Sequence, residues 1–195
     1  MRCFGDGNEL YERYHDEEWG RPVVDERGLY ERLCLESFQS GLSWLVILRK
    51  RPGFRAAFAD FDPEIVARYD ERDVERLLQD AGIVRNRAKI EATIANARAT
   101  LELRDGPRSL PELVWAFRPD RPDDHPAPGV LGDMPAKVPE SAVLAKELKR
   151  HGFRFLGPTT LYAGMQACGL VNDHLAGCPS RAAAAAAQAA AVRPG

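Results

Sequence analysis

Apolar residues recur at intervals of three, four and seven along most of the chain, as in Leu29 with Leu33, Ile90 with Ile94 and Leu101, and Leu144 with Leu148. That spacing puts side chains on one face of a helix, and the alternation of a half-buried strand is almost absent. The expected fold class is mostly α. Punctuation agrees with the pattern: Asp25 suits the cap of a helix running to about Gln39, and Pro63 suits a first helical turn. Gly82 suits the end of a helix in DVERLLQDA, where Leu77 and Leu78 supply the apolar positions.

Between about Arg104 and Glu140 the texture changes, with Pro107, Pro111, Pro119, Pro122, Pro126, Pro128, Pro135 and Pro139 in close succession. This reads as a long connection holding one short helix around Leu113 to Phe117. Helix returns at Ser141 to Arg150, and GFRFLGPTTLYAGMQACG follows as a turn, a Gly-Pro start and a further helix. Two helices around a Gly-containing turn, over about 141–168, form a helix-hairpin-helix candidate. The terminal PSRAAAAAAQAAAVRPG has helix propensity but no sizeable apolar face, so 181–195 is expected to be an Ala-rich mobile tail.

With 195 residues and 45% hydrophobic content, the chain can bury a real core as one domain or two lobes sharing an interface. The opening MRCFGDGNELYERYHDEEWG lacks the apolar centre of a signal peptide, and no run approaches the roughly 18 to 20 apolar residues of a membrane span. The expected compartment is the cytoplasm, with no membrane partner. Without an export signal the four cysteines read as thiols, buried or metal-bound, and Cys34 and Cys168 lie in apolar helical contexts as small core residues.

A formal net charge of −2 offers no global attraction to nucleic acid, so any such argument is local. Arg85, Arg87 and Lys89 form one basic group, and Lys146, Lys149, Arg150, His151 and Arg154 form another. Either can equally be the solvated end of a helix.

Two constellations carry candidate chemistry. Cys3 and His15 form C-x11-H, and His174 and Cys178 form H-x3-C, whose spacing on a helix places both side chains on one face. Two thiolates and two imidazoles suit tetrahedral zinc. With more than 150 positions between the halves, spacing alone leaves open that these are unrelated core and surface residues. The second constellation surrounds Glu36 with Tyr11, Tyr14, Trp19, Phe38 and Trp44. An acid between Leu35 and Phe38 is paired or functional if buried, and an ordinary solvated residue if not. A flipped base needs faces to stack on and an acceptor for its edge, although the aromatics serve equally as core packing.

YHDEEWG, CLESFQSGLSW, DAGIVRNRAKI and GFRFLGPTTLYAGMQACGLVNDH occur together, in an order and spacing that resemble the 3-methyladenine DNA glycosylase I family over residues 3 to about 178. The resemblance implies a helix-hairpin-helix glycosylase domain over residues 1–180, built as two α lobes, its ends joined by one structural zinc ion on Cys3, His15, His174 and Cys178. It implies Glu36 as the catalytic pocket acid on the base edge, Trp44 as a stacking aromatic, and Tyr11 and Tyr14 as further pocket walls. Around the hairpin, Lys149, Arg150, Arg154, Gly157 and Thr159 are expected to meet DNA phosphates, with Leu42 as a wedge at the Gly41 turn. The match departs at Phe38, where family members often carry a glutamine.

The expected partners are double-stranded alkylated DNA and the 3-methyladenine base, acted on by a monomer. Asp173 is expected to cap or support His174, and no lysine is placed for Schiff-base chemistry, so the product is an abasic site without strand cleavage. The rival readings are a non-catalytic zinc-stabilised DNA-binding module and a zinc hydrolase. Four filled ligand positions disfavour the second, because they leave no place for an activated water.

Overall fold

Asn8 accepts a hydrogen bond from the Tyr11 N–H and starts α1 (Glu9–Glu17), and Asp25 accepts from the Gly28 N–H and starts α2 (Glu26–Gln39). Both use an acceptor side chain to satisfy donors that a helix start leaves unpaired. The computed structural model describes residues 1–120 and 126–194. Pro122 of the proline-rich connection and Gly195 of the tail lie outside them. Among the described residues there is no strand, and no helix is long and apolar enough to cross a membrane.

After α2 come α3 (Trp44–Ala57), α4 (Pro63–Val66), α5 (Glu71–Gln79) and α6 (Arg87–Arg104). They are followed by α7 (Leu110–Ala116), α8 (Pro139–Arg150), α9 (Pro158–Ala167) and α10 (Ser180–Ala190). The caps expected at Asp25 and Pro63 are in place. The short helix of the proline-rich stretch starts earlier than expected, because Glu112 reaches back to both the N–H and the hydroxyl of Ser109. Gly82 does not end α5, which stops at Gln79 with Asp80 beyond it. Its role is close approach: a Cβ on Gly53 would lie 2.5 Å from the Gly82 carbonyl oxygen, so α3 can pass the α5–α6 turn only with glycine there.

α2 is the hub, packed against α3, α6, α7 and α9. Leu29, Tyr30, Leu33, Cys34, Leu35 and Phe38 are all buried along it, leaving little of the helix to solvent. A helix surrounded on most sides is apolar on most sides, so an acid on it stands out. Phe38 packs into the core beside Phe54 and Phe58. A smaller cluster joins Tyr14, Trp19 and Leu48 to Ala167 near the chain ends.

The Ala-rich end corrects the expectation of a mobile tail. Residues 180–190 form a docked helix in which Ala184 and Gln188 are buried. Gln188 donates to the carbonyls of Gly20 at 2.9 Å and Val171 at 3.1 Å, and Ser180 donates to Asp16 at 3.1 Å. The docking is polar and small-residue packing, which a search for a large apolar face does not detect.

Candidate active site and metal cluster

Four helices converge on a cavity of about 250 Å³. α1 supplies Tyr11 and Tyr14, three residues apart and so on one face. α2 supplies Glu36 and Gln39, α3 supplies Trp44 at its first turn, and α9 supplies Ala163 and Gln166. Phe4, Trp19, Leu131 and Met134 complete the lining. The rings of Tyr14 and Trp44 lie 5.3 Å apart and tilted, and Phe4 packs on Tyr11 at 4.9 Å. Glu36, Tyr11, Tyr14 and Trp44 are thus brought together as expected. Phe4, Met134 and Gln166 were not legible as pocket residues, since nothing local in the sequence shows that their segments return to Glu36.

Glu36 is 5% exposed, and its carboxyl has no hydrogen bond or ion pair among the described residues. Burial pushes its pKa up to about 8, opposed only by the nearby Arg32 guanidinium. Arg32 is itself engaged by Glu18 at 2.5 Å. Burial also raises Tyr11 and Tyr14, with Glu36 adding to the shift, so both phenols stay protonated as donors. Arg32 Nη1, Ser37 Oγ and Trp44 Nε1 are buried with no partner among the described residues. Such an acid is costly in an empty pocket and becomes favourable when a cation or a pair of donors arrives.

Behind the aromatic wall, Cys3, His15, His174 and Cys178 are all buried, with ligand atoms within 4.8 Å of one another, a group that could hold a metal ion. His15 donates from Nδ1 to Asp16 at 2.8 Å, and so leaves Nε2 as an acceptor, 3.2 Å from the Cys3 N–H and 3.5 Å from Cys178 Sγ. His174 donates from Nε2 to the Trp19 carbonyl at 3.1 Å, turning Nδ1 toward Cys178 Sγ at 3.4 Å and Cys3 Sγ at 3.6 Å. Each imidazole therefore presents a lone pair to the centre, an orientation that outer partners impose on metal ligands. Burial lowers His174 to about 4, which keeps it neutral, and raises the Cys3 thiol to about 12. A dication at the centre would reverse the thiol shift.

The second half of this cluster differs from its sequence reading. His174 and Cys178 lie in a turn, not a helix, closed by the Cys178 N–H on the Leu175 carbonyl at 2.9 Å. Gly177 and Pro179 favour that turn. The cap on the His174 N–H is Asn172 at 3.4 Å, whereas Asp173 accepts from Tyr162 and Gln166.

Leu42 is 39% exposed on the α2–α3 turn, where Gly41 has φ +85. Gln39 holds that turn by donating to the Leu42 carbonyl at 2.7 Å. Lys89, expected in a basic patch, is buried and donates to the carbonyls of Phe38 at 2.9 Å and Ser40 at 2.7 Å. Arg87 is engaged by Glu71, Glu75 and Glu91, which leaves Arg85 as the exposed cation of the three. At the α8–α9 turn Lys149, Arg150, Arg154, Gly157 and Thr159 are all exposed, with Arg150 on Glu147 at 3.0 Å. α9 begins at Pro158 with no side-chain cap on its first N–H groups.

The methyladenine glycosylase family model matches residues 4–182. The DNA-3-methyladenine glycosylase 1 of Escherichia coli (strain K12) is 49% identical over 169 residues, covering 87% of this chain and 90% of that protein. A solved structure of a 3-methyladenine DNA glycosylase I, 48% identical, superposes with a TM-score of 0.86 over 92% of this chain and 98% of that one. The 3-methyladenine DNA glycosylase I of Staphylococcus aureus, studied for the structural basis of 3-methyladenine recognition, is 37% identical, with a TM-score of 0.86 over 92% of this chain and 95% of that one. Fold and sequence agree over nearly the whole chain, which belongs to the methyladenine glycosylase family.

Proposed function

We propose that the protein is a monofunctional DNA glycosylase that hydrolyses the N-glycosidic bond of 3-methyladenine in alkylated double-stranded DNA. The observation that carries the reading is the buried, unpartnered Glu36 carboxyl facing an aromatic cavity. N3-methylated adenine in DNA is a cation with amine hydrogens on its edge. Ionised Glu36 complements both features, while the Tyr11, Tyr14 and Trp44 rings offer apolar surface for the base to stack on. Neutral adenine offers the edge without the charge and gains less from a buried carboxylate.

Departure needs little help from an acid, because the lesion already carries the charge. The bond from C1′ to the base breaks, its electron pair neutralises the ring, and free 3-methyladenine leaves. Water adds to C1′ and loses a proton to solvent, leaving an abasic site on an uncut strand. Glu36 acts by binding the cation in the extruded state.

The α8–α9 turn reads as the helix-hairpin-helix docking element. The free N–H groups at the start of α9, near Gly157 and Thr159, suit a DNA phosphate, with Lys149, Arg150 and Arg154 beside it. Leu42 enters the gap left by the extruded base. Zinc suits the Cys₂His₂ donor set, and when bound it would be structural, since protein groups fill all four positions. The enzyme is expected to work as a cytoplasmic monomer.

The test is chemical: wild-type protein incubated with methylated duplex DNA is expected to release free 3-methyladenine while the strand stays intact until alkali cuts it. A non-catalytic zinc-stabilised DNA-binding module would bind the duplex and release nothing.

A further inference from the structure

Gln166 connects the pocket to a second buried acid. Its side chain lines the cavity beside Glu36, and its Nε2 donates to Asp173 Oδ2 at 2.8 Å. The same oxygen accepts from the Tyr162 hydroxyl, and Asp173 is 4% exposed. Asp173 Oδ2 thus takes two donors, and the amide presents its NH₂ to it. The rotation of Gln166, an ambiguous choice in many sites, is therefore fixed by chemistry. Nε2 also lies 3.8 Å from Met134 Sδ, and Oε1 has no partner among the described residues. The free polar atom on the cavity side of this amide is an acceptor.

That polarity discriminates between methylated purines. An adenine-type base carries an exocyclic amine at position 6, a donor, where a guanine-type base carries a carbonyl oxygen. A wall that offers acceptors from both Glu36 and Gln166 satisfies the first and opposes the second with like-signed dipoles. We propose that Gln166 is a specificity-determining residue and Asp173 its positioning residue, together selecting adenine-type over guanine-type 3-methylpurines. This rests on the glycosylase reading above. Asp173 touches neither base nor sugar, and its effect passes through the orientation of one amide.

Asp173→Leu removes the oxygen that takes the glutamine NH₂. The amide is then free to turn either end toward the base. Gln166→Leu removes the acceptor and adds no donor. The experiment treats duplex DNA with a methylating agent, incubates it with zinc-loaded protein, and measures 3-methyladenine and 3-methylguanine released from the same sample. The ratio of the two initial rates is expected to fall about tenfold in Gln166→Leu, and by a smaller factor in Asp173→Leu. General loss of stability lowers both rates and leaves the ratio alone. If Asp173→Leu fails to fold, Gln166→Leu decides the matter. A ratio within about twofold of wild type in the folded variants overturns the proposal, whereas no release by wild type overturns the glycosylase reading and this inference with it.

Discussion

Glu36 has a raised folded-state pKa of about 8 against an ordinary value of 4.5. A carboxyl raised in this way contributes stability that is complete below the unfolded value and is lost as pH rises through the folded one. The ligand-free wild type should therefore lose stability relative to Glu36→Gln between about pH 4.5 and 8, on the order of a few kcal/mol. Urea unfolding of both proteins at the two ends of that window checks it, and parallel curves would contradict it. On the proposed reading the same titration governs recognition, since the cationic lesion needs the ionised form. Wild-type kcat/KM should rise with pH toward about 8, and Glu36→Gln should lack that limb. Lys89 makes a separate case: Lys89→Met orphans two carbonyls at the end of α2 and should cost about 2 kcal/mol, read as a lower urea midpoint. Glu36 was legible in the sequence because an acid stands out on an apolar helix. Lys89 was not, because one cationic side chain in a row of three gives no local sign that its carbonyl partners lie some fifty positions away.

At the scale of elements, helix starts were legible wherever a cap or proline marks them, as at Asp25 and Pro63. The proline-rich connection was read as a long link holding one short helix, with no part in the pocket, yet it delivers Leu131 and Met134 to the cavity wall. Its contribution depends on where the chain returns, a long-range fact with no periodic signal. α10 was misread for a related reason: its anchors are Gln188, Ser180 and the small face of Ala184, not large apolar residues. Through Ser180 it supports Asp16, which in turn orients His15. A chain ending at Pro179 should therefore melt at a lower temperature than the full-length protein and lose its metal at lower chelator concentration. Unchanged melting and metal retention would show that α10 is dispensable for the cluster.

For the whole molecule, the metal cluster ties the first residues to the last, with Cys3 and His174 171 positions apart. Neither half of the motif decided the matter alone, because the evidence for a shared site is spatial. Purified protein should contain about one zinc ion per chain. Chelation should lower the melting temperature by roughly 5 °C or more, since metal binding here is part of the folding free energy. Full stability in a folded, metal-free sample would contradict the structural role.

The aromatic wall beside this cluster is also the wall of the cavity, with Trp19 in contact with His174 at 4.6 Å while lining the pocket. On the proposed reading, the Cys₂His₂ cluster and the chemistry are neighbours with separate tasks, and Glu36 carries the second. Single-turnover release of 3-methyladenine from methylated duplex DNA, compared between wild type and zinc-loaded, folded Glu36→Gln, tests this most directly. Release is expected to fall by about a hundredfold, with affinity for unmodified duplex unchanged. Equal release by the two proteins would contradict it.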